Sequence, residues 1–406
     1  MTAVRILRLA AGGDGVGKLP DGRTVFVPRT APGDLIELTD LREQKRFARA
    51  RLQRVLEASP HRVEPRCPHY VRDECGGCQL QHVDNETQLA SRRAFVGDAL
   101  RRIAKRDVLD PQIIPADKTY DYRTKLTLHA EAGGRKIGLY RYHRADQIFD
   151  LKWCHITEPE LMELWQTVRK LRALLPPQLE QVVLRLDRAG GRHLLLRVGP
   201  GEVWPGADRL RREMERNGAK PTIWWQPEGG AARVVGGTGG TFPATVFEQV
   251  HPAMGDRVRE FAVQQLGDVS GRKIWDLYAG IGETTEQLVA RGAIVESVEL
   301  DRRAVEEAEA GGPAARRHTG RVEDVLRHLR RPDLVIANPP RTGMDRRVTA
   351  ELERIKPARL VYISCDPATL ARDLQRLERF QLVLVQAFDL FPQTTHVETV
   401  AVMEPA

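Results

Sequence analysis

The sequence predicts a multidomain chain: an N-terminal β-barrel, a central α+β domain, and a C-terminal α/β, Rossmann-like domain. Three observations carry this reading. From about residue 241, continuous apolar runs alternate with helical stretches, the pattern of parallel strands covered on both faces. Before residue 58 the runs are short, alternating or β-branched, and broken by glycine turns. Between these regions lies a Pro-, His- and Cys-rich segment, then one long amphipathic stretch. A chain of 406 residues is long enough for two or three cores of this kind.

Residues 1–58 divide into VRILRLA, TVFVPRT, DLIELTD and FARARLQRVLEA, with GGDGVG and PDG as turns. Gly12 to Lys18 has the spacing of a phosphate-binding loop. Leu19 stands where that loop needs a hydroxyl, and Pro20 follows in place of a helix, which excludes nucleotide hydrolysis. Residues 59–240 form the expected central domain. Within it, residues 84–106 read as an amphipathic helix capped by Asp84 or Asn85, able to pack on the C-terminal domain. KLTLHAE, VVLRLD and HLLLRV read as antiparallel strands, and Gly236, Gly237, Gly239 and Gly240 mark the domain's end. Residues 241–406 supply the strands KIWDLYAG, IVESVELD, LVIANPP, ARLVYISC, FQLVLVQAFDLF and HVETVAVME. Ligand-binding residues belong at the carboxyl ends of such strands, where Asp276, Glu299, Asn338 and Cys365 fall.

Composition narrows the partners. Net charge is +8, and basic residues concentrate at Arg42, Lys45, Arg46, Arg49, Arg51 and Arg54, then at Arg101, Arg102, Lys105 and Arg106, which points to nucleic acid. No apolar run is long enough to span a bilayer, so a cytoplasmic protein without a membrane partner is expected. In that compartment five cysteines signify metal binding or catalysis rather than disulfides. Cys67, Cys75 and Cys78 lie in CPHYVRDECGGC, Cys154 in DLKWCHI, and Cys365 alone. Gly76 and Gly77 allow the backbone to curl so that thiolates converge on one ion or cluster. Four thiols for a metal centre and one for chemistry is the resulting division, with zinc as the alternative to iron and sulfur.

The turn DLYAGIGE follows a strand and opens a helix, with Thr285 where a dinucleotide fingerprint has its third glycine. Glu299 ends the next strand, placed to accept from a ribose diol. This combination favours S-adenosylmethionine over NAD. Asn338 in NPP could present its amide to a planar base or to the cofactor. Cys365 precedes the helix PATLARDL, whose N-terminal partial charge would favour a thiolate nucleophile. Glu398 opens the last strand, and His396 stands ready to orient it or to contact RNA.

With those residues in view, nearly the whole chain resembles the bacterial RNA (uracil-5-)-methyltransferases, especially the 23S rRNA type with a TRAM domain and a [4Fe–4S] cluster. GDGVGKLPDGRTVFVPRTAPGD is similar to a TRAM domain, an OB-like RNA-binding barrel. CPHYVRDECGGCQLQH with Cys154 resembles the four-cysteine cluster site. FEQVHPAM, DLYAGIG and SVELD resemble the cofactor segments, and YISCDPATLARDL and HVETVAVM the nucleophile and general-base motifs. The resemblance implies Cys365 as nucleophile and Glu398 as general base. It implies Gln249, Tyr278, Gly280, Glu283, Glu299 and Asn338 as binding S-adenosylmethionine, and Cys67, Cys75, Cys78 and Cys154 as holding the cluster. The implied substrate is RNA, 23S rRNA first and tRNA second, methylated at uridine C5 by a monomer. Three departures stand out: Asn338 where many relatives have Asp, Glu283 where a small or amide residue is common, and YRTK for YRNK. Cytosine methylation and a non-catalytic iron–sulfur RNA-binding protein are the competing readings.

Overall fold

The computed structural model describes residues 2–131, 136–200, 204–237, 248–312 and 315–406. Strands β1 (Ala3–Leu9), β2 (Gly15–Lys18), β3 (Thr24–Val27), β4 (Leu35–Glu43) and β5 (Phe47–Glu57) close a barrel in the order β1-β2-β3-β5-β4. Val4, Ile6, Val25, Val27 and Ile36 fill its interior. The sequence reading made GGDGVG a turn, but Gly15–Lys18 is a strand. The reason is steric. A Cβ on Gly15 would collide with Thr30 and Ile6, and one on Gly17 with Val4, so the glycines let β2 lie against the filled core.

The chain then forms α1 (Pro68–Arg72), α2 (Asn85–Arg102), β6 (Ile113–Ile114), β7 (Lys125–Ala130), β8 (Ile137–Arg141) and β9 (Arg144–Asp150). It continues through α3 (Pro159–Lys170), β10 (Leu179–Leu186), β11 (Arg192–Val198), α4 (Ala207–Arg216), β12 (Thr222–Pro227) and β13 (Arg233–Gly236). Asp84 caps α2 by accepting from the Thr87 amide at 2.7 Å. The helix stops at Arg102 rather than 106, since Lys105 turns the chain with φ +56°. Seven strands pair in the order β13-β12-β11-β10-β7-β8-β9. All pairs are antiparallel except β11–β12, between which α4 makes the crossover a parallel pair needs. Leu161, Leu164, Trp165 and Val168 of α3 bury against this sheet. The boundary glycines Gly239 and Gly240 lie outside the described residues.

The last sheet is built from β14 (Lys273–Leu277), β15 (Ile294–Glu299), β16 (Arg316–Thr319), β17 (Leu334–Ala337), β18 (Arg359–Ser364), β19 (Phe380–Phe388) and β20 (Glu398–Pro405). Helices α5 (Pro252–Gln264), α6 (Glu283–Ala290), α7 (Arg302–Gly311), α8 (Val322–Val325), α9 (Arg346–Ile355) and α10 (Pro367–Arg376) connect or precede them. Strand order is β16-β15-β14-β17-β18-β20-β19-β6. The β16-to-β18 part is parallel, whereas β20 runs antiparallel to both β18 and β19. Alternate residues face opposite layers. Ile274 packs with Met254 and Val258 of α5, and Trp275 with α9, α10 and α2. Helix α2, with Val96 and Leu100 fully buried in this core, therefore covers the C-terminal sheet. Among the described residues no helix is long and apolar enough to cross a membrane.

Candidate active site

The carboxyl edge of the C-terminal sheet opens into a cavity of about 1160 Å³. Gln249, Tyr278, Gly280, Glu283, Glu299, Asn338, Cys365 and Glu398 all line it, so the eight site residues named from the sequence share one space. Strand register explains the pairing of two of them. Ser364 of β18 sits opposite Thr399 of β20, which brings the next residue, Cys365, beside the preceding one, Glu398.

One end is a glycine turn. Tyr278, Gly280 and Gly282 hold φ values of +64°, +59° and +86°, a left-handed path that glycine takes without strain. The Gly280 amide donates to Glu299 Oε2 at 2.9 Å and the Asp301 amide to Oε1 at 2.8 Å. Each oxygen keeps a second lone pair for a diol. Thr285, in place of a third glycine, donates to Asp276 at 2.6 Å and pins α6 to β14. Burial lifts Asp276 to about 6. Glu283 is paired rather than free: Arg188 lies 2.5 Å and Arg259 3.0 Å from its oxygens. Burial raises its pKa, and the two guanidinium groups oppose that rise.

The other end holds the thiol and the buried acid. Burial raises the Cys365 thiol to about 11, and the neighbouring Glu398 adds to the rise. Helix α10 does begin beside it, but Asp366 caps that helix, accepting from the Thr369 amide at 2.8 Å. The expected thiolate-favouring helix terminus thus carries its own carboxylate. Glu398 is 1% exposed, its Oε2 has no hydrogen-bond partner among the described residues, and burial raises it to about 8. Arg341 opposes both shifts. Its guanidinium stands 3.5 Å from His396, whose ring burial holds near 4, hence neutral. The loop carrying Asn338 and Arg341 is fixed to α10: Asp373 accepts from the Met344 amide at 2.7 Å and Arg372 donates to the Thr342 carbonyl at 2.7 Å.

Two cavity residues escaped the sequence reading. Arg341 follows NPP directly, and a cation beside a motif at a strand end was the available signal. Arg123 of YRTK lines this cavity and also a second one.

That second cavity, about 310 Å³, is lined by Cys67, Cys75, Cys78 and Cys154. All four thiols are buried. Burial raises Cys67 to about 11 and Cys75 to about 12, and it also lifts Cys78 well above the ordinary thiol value. Among the described residues no group of three or more His, Cys, Asp or Glu side chains could hold a metal ion directly. The thiols instead surround a void.

The basic clusters differ. On the barrel, Arg42, Lys45 and Arg46 are exposed, whereas Arg49, Arg51 and Arg54 pair with Asp14, Glu74 and Glu37. Arg101 and Arg102 pair with Asp98 and Asp110, and Arg106 donates to the Leu377 carbonyl.

Residues 287–405 match the family model described as tRNA (uracil-5-)-methyltransferase. A Thermotoga maritima protein described as an uncharacterized RNA methyltransferase is 31% identical, over 98% of this chain and 97% of its own. The 23S rRNA (uracil(1939)-C(5))-methyltransferase RlmD of Dechloromonas aromatica is 31% identical, covering 95% of each. The fold matches that of Pyrococcus abyssi tRNA (uracil-54, C5)-methyltransferase in complex with S-adenosyl-L-homocysteine, with a TM-score of 0.77 and 24% identity over 99% of this chain and 100% of that one. A 31% identity sustained over almost the full length of both proteins, on a fold whose sheet edge gathers a glycine turn, a thiol and a buried acid, assigns the chain to the RNA (uracil-5-)-methyltransferase family.

Proposed function

We propose that this enzyme methylates C5 of uridine in 23S rRNA, with Cys365 as nucleophile and Glu398 as general base. The observation that carries the reading is the register of β18 against β20, which sets thiol and acid side by side on the cavity that also holds the glycine turn. Full-length similarity to a 23S rRNA methyltransferase favours that RNA. The tRNA reading is second, favoured by the description of the matching family model.

Uracil C5 is a poor nucleophile until C6 is attacked. The Cys365 thiolate adds to C6, and the displaced electron pair enriches C5. Bound S-adenosylmethionine supplies a methyl electrophile for that carbon. Gln249, Tyr278, Gly280, Glu283, Glu299 and Asn338 would hold it, with the Glu299 oxygens accepting from the ribose diol. The paired state of Glu283 leaves little net charge there to disturb a cationic ligand. Glu398 then takes the C5 proton, the C5–C6 double bond re-forms, and the sulfur leaves C6. Thiol and carboxyl must reach one ring, so the base leaves its stack to enter.

The cysteine cavity reads as the seat of a [4Fe–4S] cluster on Cys67, Cys75, Cys78 and Cys154. Four buried thiols around a void suit a multi-atom cluster better than one tetrahedral ion, which needs its ligands in direct contact. The barrel reads as an RNA-binding TRAM domain, supported by the exposed Arg42, Lys45 and Arg46 at the β4–β5 hairpin. The test is to incubate the anaerobically purified protein with S-adenosylmethionine and RNA containing 5-fluorouracil. Fluorine at C5 cannot leave as a proton, so an adduct at Cys365 that survives denaturation is expected, and sequencing the trapped RNA identifies it. A Cys365→Ala protein that still methylates RNA at the parent rate overturns the nucleophile.

A further inference from the structure

Residues 389–397 join β19 to β20, put Phe391 on the cavity wall and lead into Glu398. Much of this segment's backbone is held from outside the C-terminal sheet. The amides of Gln79 and Leu80 both donate to the Gln393 carbonyl at 3.1 Å. Gln88 of α2 donates to Gln393 Oε1 at 3.1 Å and to the Leu80 and Val83 carbonyls at 3.0 and 2.9 Å, so one side-chain amide joins both segments. Tyr122 donates to the Pro392 carbonyl at 3.0 Å, and Arg92 to that of Thr394 at 3.2 Å. Gln393 is 4% exposed and sits at φ +68°, a conformation that a non-glycine residue keeps only when its surroundings impose it.

Gln79 and Leu80 follow Cys78 directly. The loop before them is closed on itself: Gln79 Nε2 donates to the Gly76 carbonyl, and Tyr70 to the Gln79 carbonyl, each at 2.7 Å. What fixes Cys78 therefore fixes the two amides that grip Gln393.

We propose that Gln79 and Leu80 are positioning residues for the reaction, clamping residues 389–397 so that Glu398 meets the substrate when Cys78 is bound to the cluster. The inference rests on the cluster reading given above and gives the cluster a mechanical role, that of holding the path of the general base.

The test compares the anaerobically purified full chain with the same protein after chelation, both saturated with S-adenosylhomocysteine, by hydrogen exchange. Loss of the cluster should speed exchange across 389–398 roughly tenfold or more, with the glycine-turn segment 273–282 unchanged. Gln79→Pro, with its iron retained, should lose kcat on unmodified 23S rRNA transcript while KM stays put. If Gln79→Pro does not load iron, Gln88→Ala takes its place, with the same expected loss of kcat at constant KM. Equally slow exchange of 389–398 in both states overturns the clamp, as does a parent kcat in the iron-loaded Gln79→Pro or in Gln88→Ala. Iron and sulfide content judges the cluster reading separately, because the Gln88→Ala arm judges the clamp whatever the cysteines hold.

Discussion

Cys365 and Glu398 stand together in low dielectric, Glu398 disfavours charge on the thiol, and the Arg341 guanidinium lowers the pKa of both. Both groups are neutral at rest near pH 7, so turnover should climb as pH rises through about 8. Arg341→Gln removes the opposing charge and should move that climb upward by about one pH unit, read from the pH dependence of kcat. Glu398 also links to stability. Its folded pKa lies above the unfolded 4.5, so the folded state holds the extra proton and stability falls as pH rises from about 4.5 towards 8. Glu398→Gln should therefore raise Tm at pH 8 by about 5 °C and change it little at pH 4, in a melt at the two pH values. The same variant cannot take the C5 proton, so the adduct should accumulate. Cys365 and Glu398 were legible because strand ends and helix starts leave local marks. Arg123 and Arg341 were not, because a guanidinium shows its relation to a cavity only once distant segments meet.

Elements were legible where one face is buried. β14, β15, β17 and β18 are buried along nearly their whole length and were found as strands. β16, reading Arg-Arg-His-Thr, is an edge strand with no apolar signature, and β2 hides behind two glycines that normally mark turns. Gly15→Val should confirm the packing reason by destabilising the barrel by about 1–3 kcal/mol, measured by denaturant unfolding. Between α2 and the β19–β20 connection, Arg92 and Asp389 form a fully buried ion pair at 3.0 Å. Arg92→Met leaves a buried acid without its cation and should cost about 3–5 kcal/mol. The double variant with Asp389→Leu should recover much of that, which a double-mutant cycle in urea would show.

At the scale of the whole molecule, the proposed RNA-binding role of the barrel can be separated from that of the cavity. If the exposed Arg42, Lys45 and Arg46 meet phosphates, replacing all three with Ser should raise KM, leave kcat alone, and flatten the log–log salt slope of binding by about 2. The three-sheet plan was legible from the change in strand pattern along the chain. The packing of α2 on the C-terminal sheet was anticipated, but not that β6, early in the chain, completes that sheet. No local pattern encodes a pairing between residue 113 and residue 387.

Strand β20 has a consequence for biosynthesis. It lies between β18 and β19, so a ribosome makes the inner strand after the two it separates. Until residues 398–405 emerge, two neighbouring strands present open edges, and α2, made some three hundred residues earlier, lacks the finished surface it covers. The nascent chain thus has a long vulnerable interval in which a chaperone would be useful. The strand that closes the sheet also begins with Glu398, so under the proposed mechanism a chain still lacking it has no general base with which to complete a turnover.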